Sequence, residues 1–224
     1  MTMLTKLLNV KIAVALALSI LPMTLSIKPA AAAGNNILQN GSFEDTVVAN
    51  KSYGLYPSIS GWNLLSGSIG TRIEVQNNVA GTPLDGNNLV ELDSNGVTGI
   101  YQDLATIVGR TYQLQFGFSP RAGIKDNRLN INWGNNLVAN LTADGTGLKD
   151  TKWQLFTYNL VATSAITRLS FDNLNELSDT YGTYIDKVSV RDIPETSPFI
   201  GLLAFGFIGG VMLRRKQQKA LPQA

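Results

Sequence analysis

Two short constellations of carboxylates and a scatter of aromatic side chains carry most of the chemistry this sequence offers. In Glu91-Leu92-Asp93 two acids stand two residues apart. On a strand they share a face, with side chains roughly 6 to 7 Å apart along it. Paired carboxylates about 5 to 9.5 Å apart are the acid and the nucleophile or base of glycoside hydrolysis. A solvated polar strand face, or hydrogen bonding to a sugar, is the competing reading. In the second constellation Tyr184, Asp186, Val188 and Val190 share one face by period two, and that face is apolar after the aspartate. A carboxylate aimed at a core must be paired or must bind a metal. Calcium suits it, taking carboxylate and carbonyl oxygens and needing neither histidine nor cysteine. Pairing with Arg or Lys, or capping of backbone amides at the strand end, is the alternative.

Sugar recognition asks for flat apolar surface against the C–H face of a ring and planar polar groups for its hydroxyls. Trp62, Trp133, Trp153, Tyr53, Tyr56, Tyr181 and Tyr184 could supply the first, and Arg121, Asn127, Asn135 and Asn136 the second. Trp133 continues the face of Leu129 and Ile131, and Trp153 opens a strand, so both are expected in the core. Tyr53 and Tyr56, close to Pro57 in a stretch that reads as loop, are the better carbohydrate-binding candidates. Arg121 joins them because it leaves a strand for a loop after Ser119-Pro120; internal pairing is its other reading.

Absences narrow the field. The 224 residues contain no histidine and no cysteine, which removes the commonest general base, thiolate nucleophiles, zinc knuckles and disulfides. A serine nucleophile would then need a lysine base, and no S-x-x-K stands in the body of the chain. The phosphate-cradling loop and the dinucleotide fingerprint are missing too. The formal charge of +2 resides at the ends: between residues 34 and 193 eleven Lys/Arg face fifteen Asp/Glu, a net −4. No basic face for a phosphate backbone exists there, so nucleic acid is not an expected partner.

These residues need a scaffold, and the pattern supplies one. Tyr112-Gln113-Leu114-Gln115-Phe116-Gly117-Phe118 alternates strictly, as a half-buried strand does. Similar runs cover Leu129 to Trp133, Phe156 to Leu160 and Tyr184 to Val190, with shorter candidates around Trp62, Ile73, Val90, Tyr101, Leu137 and Leu169. Turn signals such as Asn40-Gly41, Asp85-Gly86, Asn95-Gly96 and Asp144-Gly145 separate them. About eight to ten strands, scarce helix and no fixed-period repeat predict a single all-β sandwich or jelly roll over 34–192. Thr46 to Ser60 and Asn173 to Gly182 read as its long loops.

The two ends read as addresses. Lys6 and Lys11, the apolar run Ile12 to Leu25 and the tract Ala30 to Ala33 have the order of a signal peptide over 1–33, with mature protein from Gly34. At the other end a linker, 193–198, precedes an apolar segment, 199–213, and a basic tail, 214–224. At ~1.5 Å per residue the apolar segment spans about 22 Å, a marginal transmembrane helix. Arg214-Arg215-Lys216 would hold its end in the cytoplasm and put the body outside.

The order Pro194-Glu195-Thr196, apolar segment, basic tail resembles the PEP-CTERM sorting signal of exported Gram-negative proteins, with Thr196 at the motif's third position. That resemblance implies a membrane sorting enzyme, an exosortase, as partner, and a plain C-terminal anchor is its alternative. The stretches Leu38 to Glu44, Val90 to Asn95, Ile100 to Leu104, Phe118 to Arg121 and Tyr184 to Val190 resemble the uncharacterised β-sandwich domain of exported bacterial and plant cell-wall proteins. That domain is similar in turn to galactose-binding-like jelly rolls of carbohydrate-binding modules, which implies association with extracellular polysaccharide. By the same resemblance a structural Ca²⁺ would lie between Glu44 and Asp186. Glu91-Leu92-Asp93 is also similar to the start of the E-x-D-x-x-E motif of a jelly-roll glycosidase family, but Gly96 stands in the third acidic position.

The expectation is an exported, surface- or matrix-associated, non-catalytic module that binds or organises extracellular polysaccharide, anchored through 199–213 or released. The rivals are a structural adhesin or matrix protein without glycan binding and, third, a carboxylate-based glycoside hydrolase.

Overall fold

The computed structural model of the protein describes residues 34–194. The expected signal peptide 1–33, the motif from residue 195 onward, the apolar segment 199–213 and the tail 214–224 lie outside the described residues. Twelve strands and no helix make up the described part, so no helix there is long and apolar enough to cross a membrane.

In chain order the strands are β1 (Ser52–Tyr56), β2 (Ser58–Ile59), β3 (Trp62–Leu64), β4 (Ile73–Asn77), β5 (Leu89–Glu91), β6 (Gly99–Ala105), β7 (Thr111–Ser119), β8 (Asn127–Trp133), β9 (Asn136–Ala143), β10 (Gln154–Val161), β11 (Ile166–Asn173) and β12 (Tyr184–Asp192). They form two six-stranded antiparallel sheets, ordered β1-β4-β5-β12-β7-β10 and β2-β3-β6-β11-β8-β9. The alternating runs read from the sequence all lie in strands. The stretch from Thr46 to Ser60, expected as loop, contains β1 and β2, whose mixed Ser, Gly and Tyr composition hides the period.

The inward residues of both sheets make one core. Tyr112, Leu114, Phe116 and Phe118 of β7 meet Leu129, Ile131 and Trp133 of β8 and Leu169 and Phe171 of β11. An aromatic chain crosses the sandwich: Phe43 to Trp62 at 5.7 Å, Trp62 to Phe171 at 6.1 Å, Phe171 to Phe116 at 5.1 Å and Phe116 to Phe156 at 5.5 Å between centroids. Such tilted, edge and stacked contacts add to the burial of each ring. The Asn-Gly motif feeds this chain. Asn40 adopts φ 49° and its carbonyl accepts the Trp62 indole N–H at 3.1 Å. Gly41 follows because a Cβ there would overlap the Val188 carbonyl oxygen.

The alternation expected for β12 is broken. Its register with β7 shifts between Asp186 and Ser189, and Lys187 sits at φ 54°. One extra residue on β12 makes a bulge, which turns the following side chains over. Ile185, Val188 and Val190 face the core, while Tyr184 and Asp186 stand on the outer face. The common face expected for Tyr184, Asp186, Val188 and Val190 therefore does not exist.

Residues 79–88 cross that outer face as a strap. Asp186 Oδ2 accepts the amides of Leu84 and Asp85 at 2.8 and 2.9 Å, and its Oδ1 accepts Lys187 N–H at 2.6 Å. Glu44 Oε1 accepts the amides of Asn87 and Asn88 at 2.9 and 2.7 Å. Leu84 lies on Gly117, where any Cβ would collide with it, and Thr82 accepts the Trp153 indole N–H at 2.8 Å. Burial pushes Asp186 up to about 7 against the three amides that pull it down.

Because amides satisfy both anchors, the melting temperature is expected to be the same in calcium and in chelator. Asp186→Asn turns an N–H toward those amides, so it should cost about 1–3 kcal/mol in denaturant unfolding. It should also speed amide exchange across 84–88. A calcium-dependent rise in melting temperature that Glu44→Gln abolishes would instead place a metal in the strap.

Candidate functional site

Beside the strap, the outer faces of β1, β4, β5 and β12 meet two loops. In register, Leu55 pairs with Glu74, Glu74 with Glu91 and Glu91 with Tyr184, so one row of side chains crosses four strands; Tyr53 pairs with Gln76 in the next row. The outer face of a half-buried sheet normally meets water. Here β4 and β5 are buried on both sides, and Glu91 is 0% exposed.

Two loops do this. The β7–β8 loop brings Arg121, whose backbone N–H is held by Asn127 Oδ1 at 2.9 Å. Arg121 Nη1 donates to both Glu91 oxygens at 2.6 Å. The β11–β12 loop is held by Asp93, which accepts the Asp179 amide at 3.2 Å, and by Glu91, which accepts the Gly182 amide at 2.6 Å. It lays the Tyr181 ring 4.6 Å from the Arg121 guanidinium, a cation–π contact. From β4, Gln76 Nε2 bridges the two acids, donating to Glu74 Oε1 at 2.9 Å and to Glu91 Oε2.

The cluster carries two carboxyls for one guanidinium. Burial pushes Glu91 up to about 8, against the Arg121 charge that pulls it down, and neighbouring Glu74 adds to the rise. Burial raises Glu74 as well. The two acids stand opposite each other across β4 and β5, so the charge of Glu74 disfavours the charged form of Glu91.

Above this floor opens a cleft of about 230 Å³, lined by Tyr53, Leu55, Glu74, Gln76, Arg121 and Tyr181 among others. Tyr53 and Tyr181 are 56% and 45% exposed. The cleft is smaller than the roughly 300–1,000 Å³ of enclosed small-molecule sites. Flat rings and planar hydrogen-bonding groups are what it offers.

The residues expected from sequence divide. Tyr53 and Arg121 come together in the cleft, and Arg121 also pairs internally, with Glu91. Tyr56 alternates to the other side of β1 and packs against the core, so it does not line the site. Trp62 and Trp133 are buried in the core, and Trp153 is half-buried under the strap. Asn127 serves the backbone of its own loop, while Asn135 and Asn136 lie at the β8–β9 turn and do not line the cleft.

Glu91 and Asp93 do not share a strand face, because β5 ends at Glu91 and Asp93 turns into a bridge with Val97. Glu91 meets a second carboxyl after all, that of Glu74, but it is closed off from solvent and held by four N–H donations. A general acid must reach a substrate oxygen within hydrogen-bond distance, and Glu91 has no such access. Glu74 and Gln76 were not singled out from sequence; their only signal was the polar half of the alternation in Ile73-Glu74-Val75-Gln76.

Glu44 and Asp186, the residues considered for calcium, flank the strap and give their oxygens to its amides. Among the described residues no group of three or more His, Cys, Asp or Glu gathers as a metal site would. Calcium takes six to eight oxygens. Two carboxylates already engaged by N–H donors form an amide cap and do not fit such a cage.

No curated protein is significantly similar in sequence to this chain. Among solved structures, TmCBM61 in complex with β-1,4-galactotriose is 16% identical, with 70% of this chain and 97% of that one covered at a TM-score of 0.45. A family 35 carbohydrate-binding module from Clostridium thermocellum is 13% identical, with 62% and 97% covered at 0.41. A cleaved adhesin domain of Lys-gingipain from Porphyromonas gingivalis is 13% identical, with 62% and 95% covered at 0.45. Likenesses at this level say nothing about ligand or activity. The model of the family described as protein of unknown function, DUF642, matches residues 36–191, from Asn36 to the Arg191 it bridges across the sheet, and the chain belongs to that family.

Proposed function

We propose that the sandwich is a non-catalytic module that binds extracellular polysaccharide in the cleft between Tyr53 and Tyr181. The observation that carries this reading is the pair of exposed tyrosines on either side of a polar floor whose hydrogen bonds are fixed before any ligand arrives. A tyrosine ring stacks on the C–H face of a sugar, while Glu74, Gln76 and Arg121 present donors and acceptors to its hydroxyls. Preorganisation of that floor limits the entropy lost on binding.

The signal peptide 1–33 would export the module, and the PEP-CTERM-like segment would bring it to an exosortase or leave it anchored through 199–213. A second reading, a structural matrix protein without glycan binding, draws on one feature. The edge strands β9 and β10 are eight residues each, contain no charge and no proline, and pair on one side only, and such edges are templates for another strand.

Glycan-array binding by the purified protein should fall about tenfold, equivalent to ~1.4 kcal/mol, in both Tyr53→Ala and Tyr181→Ala, with melting temperatures unchanged. A folded parent chain that binds no glycan would move the weight to the matrix reading.

The carboxyl pair makes a separate expectation. Burial raises both Glu74 and Glu91 above the ordinary carboxylate value of 4.5, Glu91 to about 8. The folded state therefore binds more protons than the unfolded one in that window, and stability falls as pH rises through it. Glu74→Gln leaves Arg121 with a single carboxylate, so the fall in melting temperature between about pH 5 and 8 should become shallower. A profile parallel to the parent's would show that Glu74 contributes nothing to this pH dependence, neither by its own titration nor by raising Glu91.

Finally, N-terminal sequencing of the exported chain should begin at Gly34; an intact Met1 would mark residues 1–33 as a retained anchor.

A further inference from the structure

On the far side of the strap the same outer face opens again, in a cleft of about 340 Å³. Its lining differs in charge from the tyrosine cleft. Lys187 and Arg191 reach into it, and Asp85 is the only acid there, its Oδ2 already accepting the Ser42 hydroxyl at 2.6 Å. The cations are uncompensated. Of the six described arginines, Arg110, Arg121, Arg128 and Arg168 each bind a carboxylate, whereas Arg72 and Arg191 bind only backbone carbonyls. Arg191 donates only to the Gly34 carbonyl, at 3.3 Å, and Lys187 has no ion-pair partner among the described residues. In a body of net charge −4, two such cations in one concavity form a local exception.

The backbone reinforces the observation. The β12 bulge holds Lys187 at φ 54°, a conformation that a lysine adopts at a cost, and such strain collects at binding sites. It also sets Ser189 and Arg191 on the outer face, in register with Gln115 and Gln113 of β7. Gln115 and Thr157 stand together on this face, their side chains 3.3 Å apart, and Leu155 is 66% exposed beside them. An apolar side chain, amide and hydroxyl groups, and a guanidinium with an ammonium together suit a sugar ring that carries a carboxylate.

We infer that this second cleft is a subsite for an acidic sugar residue, with Arg191 and Lys187 holding the carboxylate of a uronic acid. The inference adds to the glycan reading without using Tyr53, Tyr181 or Arg121, so the two fail separately: loss of neutral-glycan binding tests the first cleft alone.

The probes are trigalacturonate, its fully methyl-esterified counterpart and a neutral trisaccharide carrying a sulfate ester, titrated into the full chain by calorimetry at low and high salt. Trigalacturonate should bind at least tenfold more tightly than the ester and lose that advantage at high salt. Arg191→Gln and, separately, Lys187→Asn, which tolerates the positive φ, should each remove most of the preference while melting temperature and binding of neutral glycans persist. Equal affinity for acid and ester, no binding of trigalacturonate, or an unchanged preference in both variants would overturn the proposal. Tighter binding of the sulfate ester than of the uronate would overturn the carboxylate assignment.

Discussion

A carboxylate with no access to water has to be neutralised or protonated, and Glu91 is such a carboxylate. Its partners come from three separate parts of the chain: Arg121 from the β7–β8 loop, the Gly182 amide from the β11–β12 loop and Gln76 from β4. Satisfying one buried group therefore draws two loops and a strand to one place. The tyrosine cleft is a consequence. Its walls are the loops that Glu91 holds, and its floor is polar because the acid and its partners cannot leave.

The β12 bulge makes a second division. By inserting Lys187 it puts Asp186 on the outer face, where the carboxylate can hold the amides of residues 84 and 85. The strap so fixed separates the tyrosine cleft from the cationic one. Gly117 permits it, since any side chain there would displace Leu84. The N-terminal Asn-Gly-Ser-Phe-Glu motif serves the same architecture: Phe43 extends the aromatic core, Ser42 binds Asp85 and Glu44 caps the other end of the strap.

Much of this was legible before any fold was known. Period-two alternation identified β7, β8, β10 and most of β12, and the turn signals between them implied two layered sheets. The motif stretches Val90 to Asn95, Phe118 to Arg121 and Tyr184 to Val190 contain Glu91, Arg121 and Tyr184, three members of the floor. Sequence could not show that they meet, because they lie tens of residues apart and belong to strands whose neighbours depend on sheet order. Glu74 and Gln76 looked like the wet side of an ordinary strand.

The sequence by itself determined the class of fold, since side chains that alternate along a strand are sorted to a buried and an outer face whatever the topology. It also determined which chemistries are closed to the described body, because histidine and cysteine do not occur in it. Only the tertiary structure decided which outer faces stay wet. Loops folding over β4, β5 and β12 turned polar positions into buried ones, raised two carboxyls and bound an arginine to one of them. One inserted residue on β12 reversed the faces that strict alternation assigns to Val188 and Val190. Local pattern carries no information about what covers a strand from above, so the site arises where distant segments meet over the sheet.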